Sequence, residues 1–133
     1  MNQSASNKQY LVISRGQWDA SASKQDVQGA IDAFYLWYER NIELGRMMPG
    51  SRLASEGKVI SRSGTTDGPF AEAKELVGGF WFLVASSLEE AAALAAENPC
   101  LAFGLTLELR PLDVDRAQAT AVTNETPPAW RVQ

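Results

Sequence analysis

The stretch LVGGFWFLVASSLEE at residues 76–90 carries most of the information about the fold. Residues 80–85 are its continuous apolar run, and their aromatic and branched side chains favour a buried β-strand. Ser87 is followed three residues later by Glu90, a capping box that predicts the start of an Ala-rich helix ending near Glu97. A strand that leads directly into a capped helix indicates a mixed α and β domain.

The last predicted strand, residues 105–110, differs from the apolar run in how its side chains alternate. Its leucines occupy one face, whereas Thr106, Glu108 and Arg110 occupy the other. Residues 80–84 are apolar on both faces, but helices on one side of a sheet cover only one of them. We therefore expect a second copy of the chain to cover the other face, forming a homodimer with a partly polar cavity between the sheets.

The remaining elements follow from hydrophobic periodicity and turn residues. The predicted elements are strands at residues 9–15, 52–55, 58–62, 76–85 and 105–110, and helices from Ser23 to about Leu44 and at residues 88–97. The order is βαβββαβ, an α+β arrangement with both helices on one face of an antiparallel sheet. We predict a disordered segment at residues 1–8, one domain at residues 9–112 and an extended tail at residues 113–133.

Composition narrows the class of function. The net charge of −4 without a Lys/Arg cluster argues against nucleic-acid binding. No apolar run approaches the roughly 20 residues of a membrane helix, and residues 1–8 lack the apolar segment of a secretory signal. The single Cys100 is typical of a reducing compartment, so we predict a cytoplasmic protein. The chain has no histidine and no metal or cofactor motif, so any catalysis depends on carboxylates, Lys, Tyr or Cys.

Two motifs resemble the DGPF group of the YCII-related family. They are DGPFAEAKE at residues 67–75, followed by GGF at residues 78–80, and LELRP at residues 107–111. The resemblance covers about residues 9–112 and implies a ferredoxin-like, dimeric α/β barrel. Better-understood members resemble muconolactone-processing and dehalogenating enzymes that use a His with an Asp, a mechanism that a chain without histidine does not share. The DGPF group is also associated with extracytoplasmic-function sigma factors, which implies a regulatory or stress setting.

The residues around the DGPF motif are open to two interpretations. Asp67 precedes Gly-Pro, so its carboxylate either stabilises a turn or stands at the mouth of the dimer cavity as a base or ligand acceptor. In an extended segment Phe70, Glu72 and Lys74 share one face, although Glu72, Lys74 and Glu75 also fit a solvated charged link. Asp67 and Glu72 are the candidate catalytic residues.

Glu108 and Arg110 form the second candidate group. They either neutralise each other or face an enclosed cavity, where the Arg110 guanidinium can grip a ligand carboxylate with two parallel hydrogen bonds. Trp81 and Tyr38 fit a role as core or interface aromatics. The predicted ligand-binding residues are Asp67, Phe70, Glu72, Lys74, Glu108 and Arg110.

Three classes of function remain open. The leading prediction is a homodimeric binding or accessory protein, without a cofactor or metal, whose ligand is a small organic acid or lactone. The first alternative is a cofactor-free lyase, isomerase or hydrolase that uses a carboxylate as acid or base in the dimer cavity. The second is a protein-interaction module in stress regulation. The absence of histidine disfavours the enzyme, and the polar face of the last strand disfavours the interaction module.

Overall fold

A computed structural model describes residues 7–68 and 76–131 of the chain. These residues form two α-helices, a four-stranded antiparallel sheet and a separate two-stranded hairpin. In chain order the elements are β1 (Lys8–Arg15), α1 (Lys24–Glu43), β2 (Met47–Arg52), β3 (Gly57–Ser61), β4 (Gly64–Gly68), β5 (Val77–Ala85), α2 (Leu88–Ala95) and β6 (Thr106–Pro111). Short 3-10 helices lie at Pro99–Phe103 and Pro128–Arg131.

The main sheet has the strand order β2-β5-β1-β6, and every neighbouring pair is antiparallel. The predicted α+β class with an antiparallel sheet is therefore confirmed. When the β3–β4 hairpin is set aside, the element order is βαββαβ, which is compatible with a ferredoxin-like unit. The sheet of one chain is open and does not close into a barrel.

The predicted order βαβββαβ has one strand too few. Four strands lie between the two helices, whereas the prediction placed three there. Residues 64–68, which lie outside every predicted strand, form β4 and pair with β3 through Lys58 opposite Asp67 and Ser61 opposite Gly64. Glycine and threonine carry little strand signal, so only the pairing with β3 reveals this strand. The strand predicted at residues 52–55 is wrong except for Arg52. β2 instead spans Met47–Arg52, where a register shift between Met48 and Ser51 accommodates Pro49 in the strand.

Both predicted helix starts are confirmed. The Ser23 hydroxyl accepts the amide N–H of Asp26 at 3.0 Å, and the Ser87 hydroxyl accepts that of Glu90 at 3.0 Å. The Glu90 carboxylate in turn accepts the backbone N–H of Ser86 at 2.6 Å, which ties the end of β5 to the start of α2. These caps fix where each helix leaves the sheet.

The core lies between the sheet and the two helices. Val12 of β1 and Leu83 of β5 are fully buried there, and α2 contributes Ala91, Leu94 and Ala95 to the same cluster. The aromatic face of α1 packs against this cluster as well. Both helices therefore cover one face of the sheet, as the alternation in residues 105–110 predicts. We call this the helix face and the opposite side the open face.

Several predictions concern residues outside the described ranges. The segment predicted to be disordered, residues 1–8, lies mostly outside the described residues. The prediction is wrong for Lys8, which is the first residue of β1. The described part of the tail is held by local bonds: the Arg131 guanidinium donates to the carbonyls of Thr123 at 2.8 Å and Thr126 at 2.9 Å. The contact of the tail with a partner subunit stays a prediction.

None of the helices in residues 7–68 and 76–131 has the length and apolar character needed to cross a bilayer.

Candidate functional site

The open face of the sheet carries a row of apolar side chains from its two central strands. Leu11 lies directly opposite Phe82, and Ile13 lies opposite Phe80, so these four side chains form one patch. The two phenylalanine rings meet edge to face at 6.0 Å between centroids. All four residues are only half-buried, because both helices pack on the other face. This patch is the uncovered apolar surface that the sequence predicts.

β6 places charged groups beside the apolar patch. Its register sets Glu108 opposite Ile13 and Arg110 opposite Leu11. Glu108 accepts a hydrogen bond on each carboxylate oxygen: Arg15 Nε donates at 2.6 Å and Arg110 Nη1 at 3.1 Å. We call these three residues the Arg15–Glu108–Arg110 cluster. It carries two cations and one anion, so its formal charge is +1.

The cluster answers the two interpretations of Glu108 and Arg110. The Glu108–Arg110 pair does form. Arg15 donates to the same carboxylate, so the single charge of Glu108 is divided between two guanidiniums. The side chain of Arg110 is 46% exposed, which leaves N–H groups within reach of a ligand. The prediction missed Arg15, although strand alternation places it on the same face as Leu11 and Ile13.

The arrangement favours an ionised Glu108. Hydrogen bonds donated by Arg15, and secondly by Arg110, lower the pKa of the Glu108 carboxyl below its ordinary value. A carboxylate with a lowered pKa stays ionised at neutral pH, so it is suited to positioning guanidinium groups and poorly suited to delivering a proton. Chemically, the cluster is better suited to holding an anion than to transferring a proton.

Asp67 lies elsewhere in the described structure. It is on β4, where its carboxylate accepts a hydrogen bond from Lys58 Nζ at 2.6 Å. The Asp67 side chain is 82% exposed. In residues 7–68 and 76–131 no ion pair joins Asp67 to Arg110 or Arg15. Phe70, Glu72 and Lys74 lie outside the described residues. The structure thus brings Glu108 and Arg110 together, and the predicted roles of the other four residues remain untested.

A cavity of about 370 Å³ lies on the helix face, between α1 and the ends of β1, β2 and β5. The aromatic rings of Phe34, Tyr35, Tyr38 and Trp81 form much of its wall. We call it the α1 cavity. Sequence patterns classified Tyr38 and Trp81 only as core or interface aromatics, since helical spacing does not distinguish a filled core from one with a gap.

The cavity exists because the sheet offers small residues opposite these rings. Ser14 of β1, Gly79 of β5 and Gly50 of β2 line its floor. The glycines are required by backbone contact: a Cβ at Gly79 would lie 2.8 Å from the carbonyl oxygen of Ser51, and one at Gly50 would collide with the backbone of β5. Close approach of β2 and β5 thus removes the side chains that would otherwise fill the space under α1.

The α1 cavity also contains polar groups. Trp81 is 5% exposed, and its indole Nε1–H has no hydrogen-bond partner among the residues that the structure describes. The Tyr38 hydroxyl accepts the Gly50 N–H at 3.1 Å, which anchors α1 to β2 at the cavity wall. Arg52 lines the cavity from the end of β2. A buried donor without an acceptor is uncommon in folded proteins.

Within the described residues, no three His, Cys, Asp or Glu side chains come together as a metal site requires. A search of curated proteins found no match to the sequence. A family model of the YCII-related domain matches residues 10–113, a range that includes both helices and all strands of the sheet except the first two residues of β1. The chain therefore belongs to the YCII-related family.

Proposed function

We propose that this protein is a homodimer of the DGPF group that binds a small organic acid or lactone between the open faces of two sheets. The observation that carries the proposal is the Arg15–Glu108–Arg110 cluster, two guanidiniums that share one carboxylate beside an uncovered apolar patch. The finer assignments, namely the DGPF group, the dimeric barrel and the cytoplasmic location, are part of this proposal.

The apolar patch supports the dimer. Leu11, Ile13, Phe80 and Phe82 are half-buried on a flat sheet face that the helices do not cover. Removing apolar surface from water gains about 25 cal/mol per Å², and specific protein interfaces bury about 800 Å² per partner. Packing of two open faces buries this patch in both copies and forms a barrel-like pair of sheets.

The charged cluster supports an anionic ligand. The Arg110 side chain is 46% exposed, so a second sheet on the open face displaces water from it, and burying a cation costs several kcal/mol unless an anion accompanies it. A carboxylate matches the planar donor fork of arginine. In this proposal the apolar patch holds the carbon skeleton of the ligand, Arg110 binds its carboxylate, and Glu108 orients both guanidiniums.

The roles proposed for the DGPF segment complete the site. Asp67, Phe70, Glu72 and Lys74 are proposed to close the mouth of the dimer cavity, with Asp67 or Glu72 as acid or base in the enzymatic alternative. The pKa of Glu108, lowered by Arg15 and Arg110, favours a binding protein over a proton-transfer enzyme at the cluster. An interaction module without a small ligand is the remaining alternative, and the test below separates it.

The test is a thermal-shift screen of small carboxylic acids, lactones and amino-acid derivatives, performed with the wild type and with Arg110→Ala. A ligand at 100 times its Kd stabilises the native state by about 2.7 kcal/mol, which raises the Tm by several degrees. We expect an acid that stabilises the wild type and has no effect on Arg110→Ala. Arg62→Ala, in the turn between β3 and β4, is the matched control and should retain the response.

The dimer is measured separately by light scattering at micromolar concentration. A monomer at that concentration contradicts the proposed dimer and with it the enclosed cavity. An acid that stabilises the wild type and Arg110→Ala equally contradicts the role of the cluster. If the protein converts a confirmed ligand into a product, it is an enzyme and not only a binding protein.

A further inference from the structure

We infer that the α1 cavity is a second binding site, separate from the open face, and that it takes a planar aromatic carboxylic acid. The inference rests on the helix face alone and does not depend on the dimer or on the Arg15–Glu108–Arg110 cluster. Three features of the described residues carry it: the arrangement of the aromatic walls, a buried indole N–H without an acceptor among them, and a cation, Arg52, with none of their carboxylates within ion-pair distance.

The aromatic walls favour a flat ligand. Phe34 and Tyr38 are stacked with their ring planes 14° apart, and Trp81 lies edge-on to both, at interplanar angles of 64° and 75°. A ring that enters beside them finds both kinds of aromatic contact, stacking and edge to face. The cavity volume of about 370 Å³ lies within the range of ligand sites. Tyr35 is 39% exposed, so the wall reaches solvent at this ring.

Trp81 also brings a buried donor to the cavity wall. Its indole N–H has no acceptor among residues 7–68 and 76–131, and the residue is 5% exposed. An N–H group that loses water without gaining an acceptor destabilises the structure that contains it. This unpaired donor distinguishes the wall of the α1 cavity from an ordinary filled core.

Charge favours an acid over an amine. Arg52 lines the cavity, and none of the described lining side chains is an Asp or Glu. Across residues 7–68 and 76–131, no carboxylate lies within ion-pair distance of Arg52. In the part of the chain that the structure describes, the cavity therefore combines one cation with polar and aromatic groups and no anion. A carboxylate on the ligand pairs with Arg52, whereas an amine ligand meets only repulsion.

The test uses three probes of similar size: phenylacetate, its neutral amide phenylacetamide, and the non-planar acid cyclohexylacetate. Binding is followed by tryptophan fluorescence, because Trp18 and Trp81 both line the cavity. We expect phenylacetate to bind about tenfold more tightly than the amide, since a charge-assisted hydrogen bond is roughly twice as strong as a neutral one. Cyclohexylacetate should bind more weakly than phenylacetate because it cannot stack.

Variants locate the bound acid. Arg52→Gln should remove the preference for the acid over the amide, whereas the matched Arg62→Gln should keep it. Ser14→Leu places a side chain on the cavity floor and should abolish binding of all three probes. Ile31→Trp narrows the same cavity from α1 and serves as a second filling variant. Far-UV circular dichroism checks that each variant is folded. The test of the cavity needs only one of the two filling variants, Ser14→Leu or Ile31→Trp, to be folded.

The outcomes distinguish this inference from the proposed function. Wild-type protein that shows no response to phenylacetate at millimolar concentration overturns the inference and leaves the open-face proposal untouched. A response that survives in a folded cavity-filling variant also overturns it. Loss of binding in Arg110→Ala with retention in Arg52→Gln places the acid on the open face. Retention in Arg110→Ala with loss of the acid preference in Arg52→Gln supports the α1 cavity.

Discussion

The two faces of the main sheet use the same strands in opposite ways. On the helix face Val12 and Leu83 are fully buried under α1 and α2, whereas on the open face Leu11 and Phe82 from the same strands stay half-buried. Successive residues differ in burial only because strand side chains alternate between faces. The open face thus keeps an apolar surface that none of the described elements of this chain covers.

The polar groups differ between the faces as sharply as the apolar ones. On the open face the charges are paired and shared, with Glu108 between Arg15 and Arg110. In the α1 cavity the notable groups are unpaired: the Trp81 N–H, and Arg52 with no carboxylate near it among the described residues. Paired charges position one another, whereas a buried donor without an acceptor destabilises the fold that contains it.

The sharpest test of the comparison is a matched pair of alanine substitutions in adjacent residues of β5. Leu83→Ala removes a fully buried side chain and should lower the free energy of unfolding by about 2–5 kcal/mol. Phe82→Ala removes a half-buried side chain and should cost clearly less in the isolated subunit. Urea unfolding at low protein concentration measures both.

Protein concentration extends this test to the dimer. If a second copy covers the open face, the destabilisation by Phe82→Ala increases with protein concentration, because the wild-type dimer is then the reference. The effect of Leu83→Ala should depend on concentration far less. Equal losses for the two variants at every concentration contradict the distinction between the faces.

A smaller effect is expected from Glu108→Gln, and it depends on pH. Hydrogen bonds from Arg15 and Arg110 lower the pKa of Glu108 from 4.5, so the folded state binds this proton less readily than the unfolded state. The stability contributed by Glu108 is therefore present above about pH 4.5 and disappears as the pH falls through its folded-state pKa.

Urea unfolding between pH 7 and pH 3 measures this contribution. Glu108→Gln should be less stable than the wild type at pH 7, and the two should converge in acid. Some acid dependence will persist in the variant, because hydrogen bonds from Ser86 also lower the pKa of Glu90. Glu43→Gln, at the end of α1, controls for loss of a surface carboxylate. A constant difference across the pH range contradicts the assignment.

The smallest effect is expected at the hairpin. Asp67 and Lys58 form an exposed ion pair on a two-stranded sheet, and pairs of this kind contribute about 0–1 kcal/mol. Asp67→Asn should therefore leave the Tm almost unchanged, as thermal unfolding by circular dichroism can show. If the same variant loses the response to an acid that binds the wild type, Asp67 belongs to the ligand site. A large loss of stability indicates a structural role for Asp67 instead.

Local sequence signals predicted a large part of the fold. The Ser23 and Ser87 caps lie where the side-chain spacing places them, and residues 106–110 alternate as predicted. The β3–β4 hairpin was missed in part, because β4 consists of glycine, threonine and Asp67 and only cross-strand pairing stabilises it. Caps and alternation depend on residues close together in the chain, whereas a hairpin in a weak sequence depends on its partner strand.

The sequence predicted less of the candidate sites than of the fold. Strand alternation placed Glu108 and Arg110 on one face, and the same rule applied to β1 would have added Arg15. The α1 cavity had no such signal. Its walls come from α1 and β5, and its empty floor arises because β2 approaches β5 so closely that Gly50 and Gly79 are required.

The amino-acid order is sufficient for the α+β class, the helix starts, the two-sided apolar strand and the charged face of β6, because each follows from contacts along one segment or from a period of two. Tertiary structure alone decided that Glu108 is shared by two arginines, that Asp67 pairs with Lys58 on a separate hairpin, and that a cavity lies under α1. These features depend on the distance between segments far apart in the chain, and packing sets that distance.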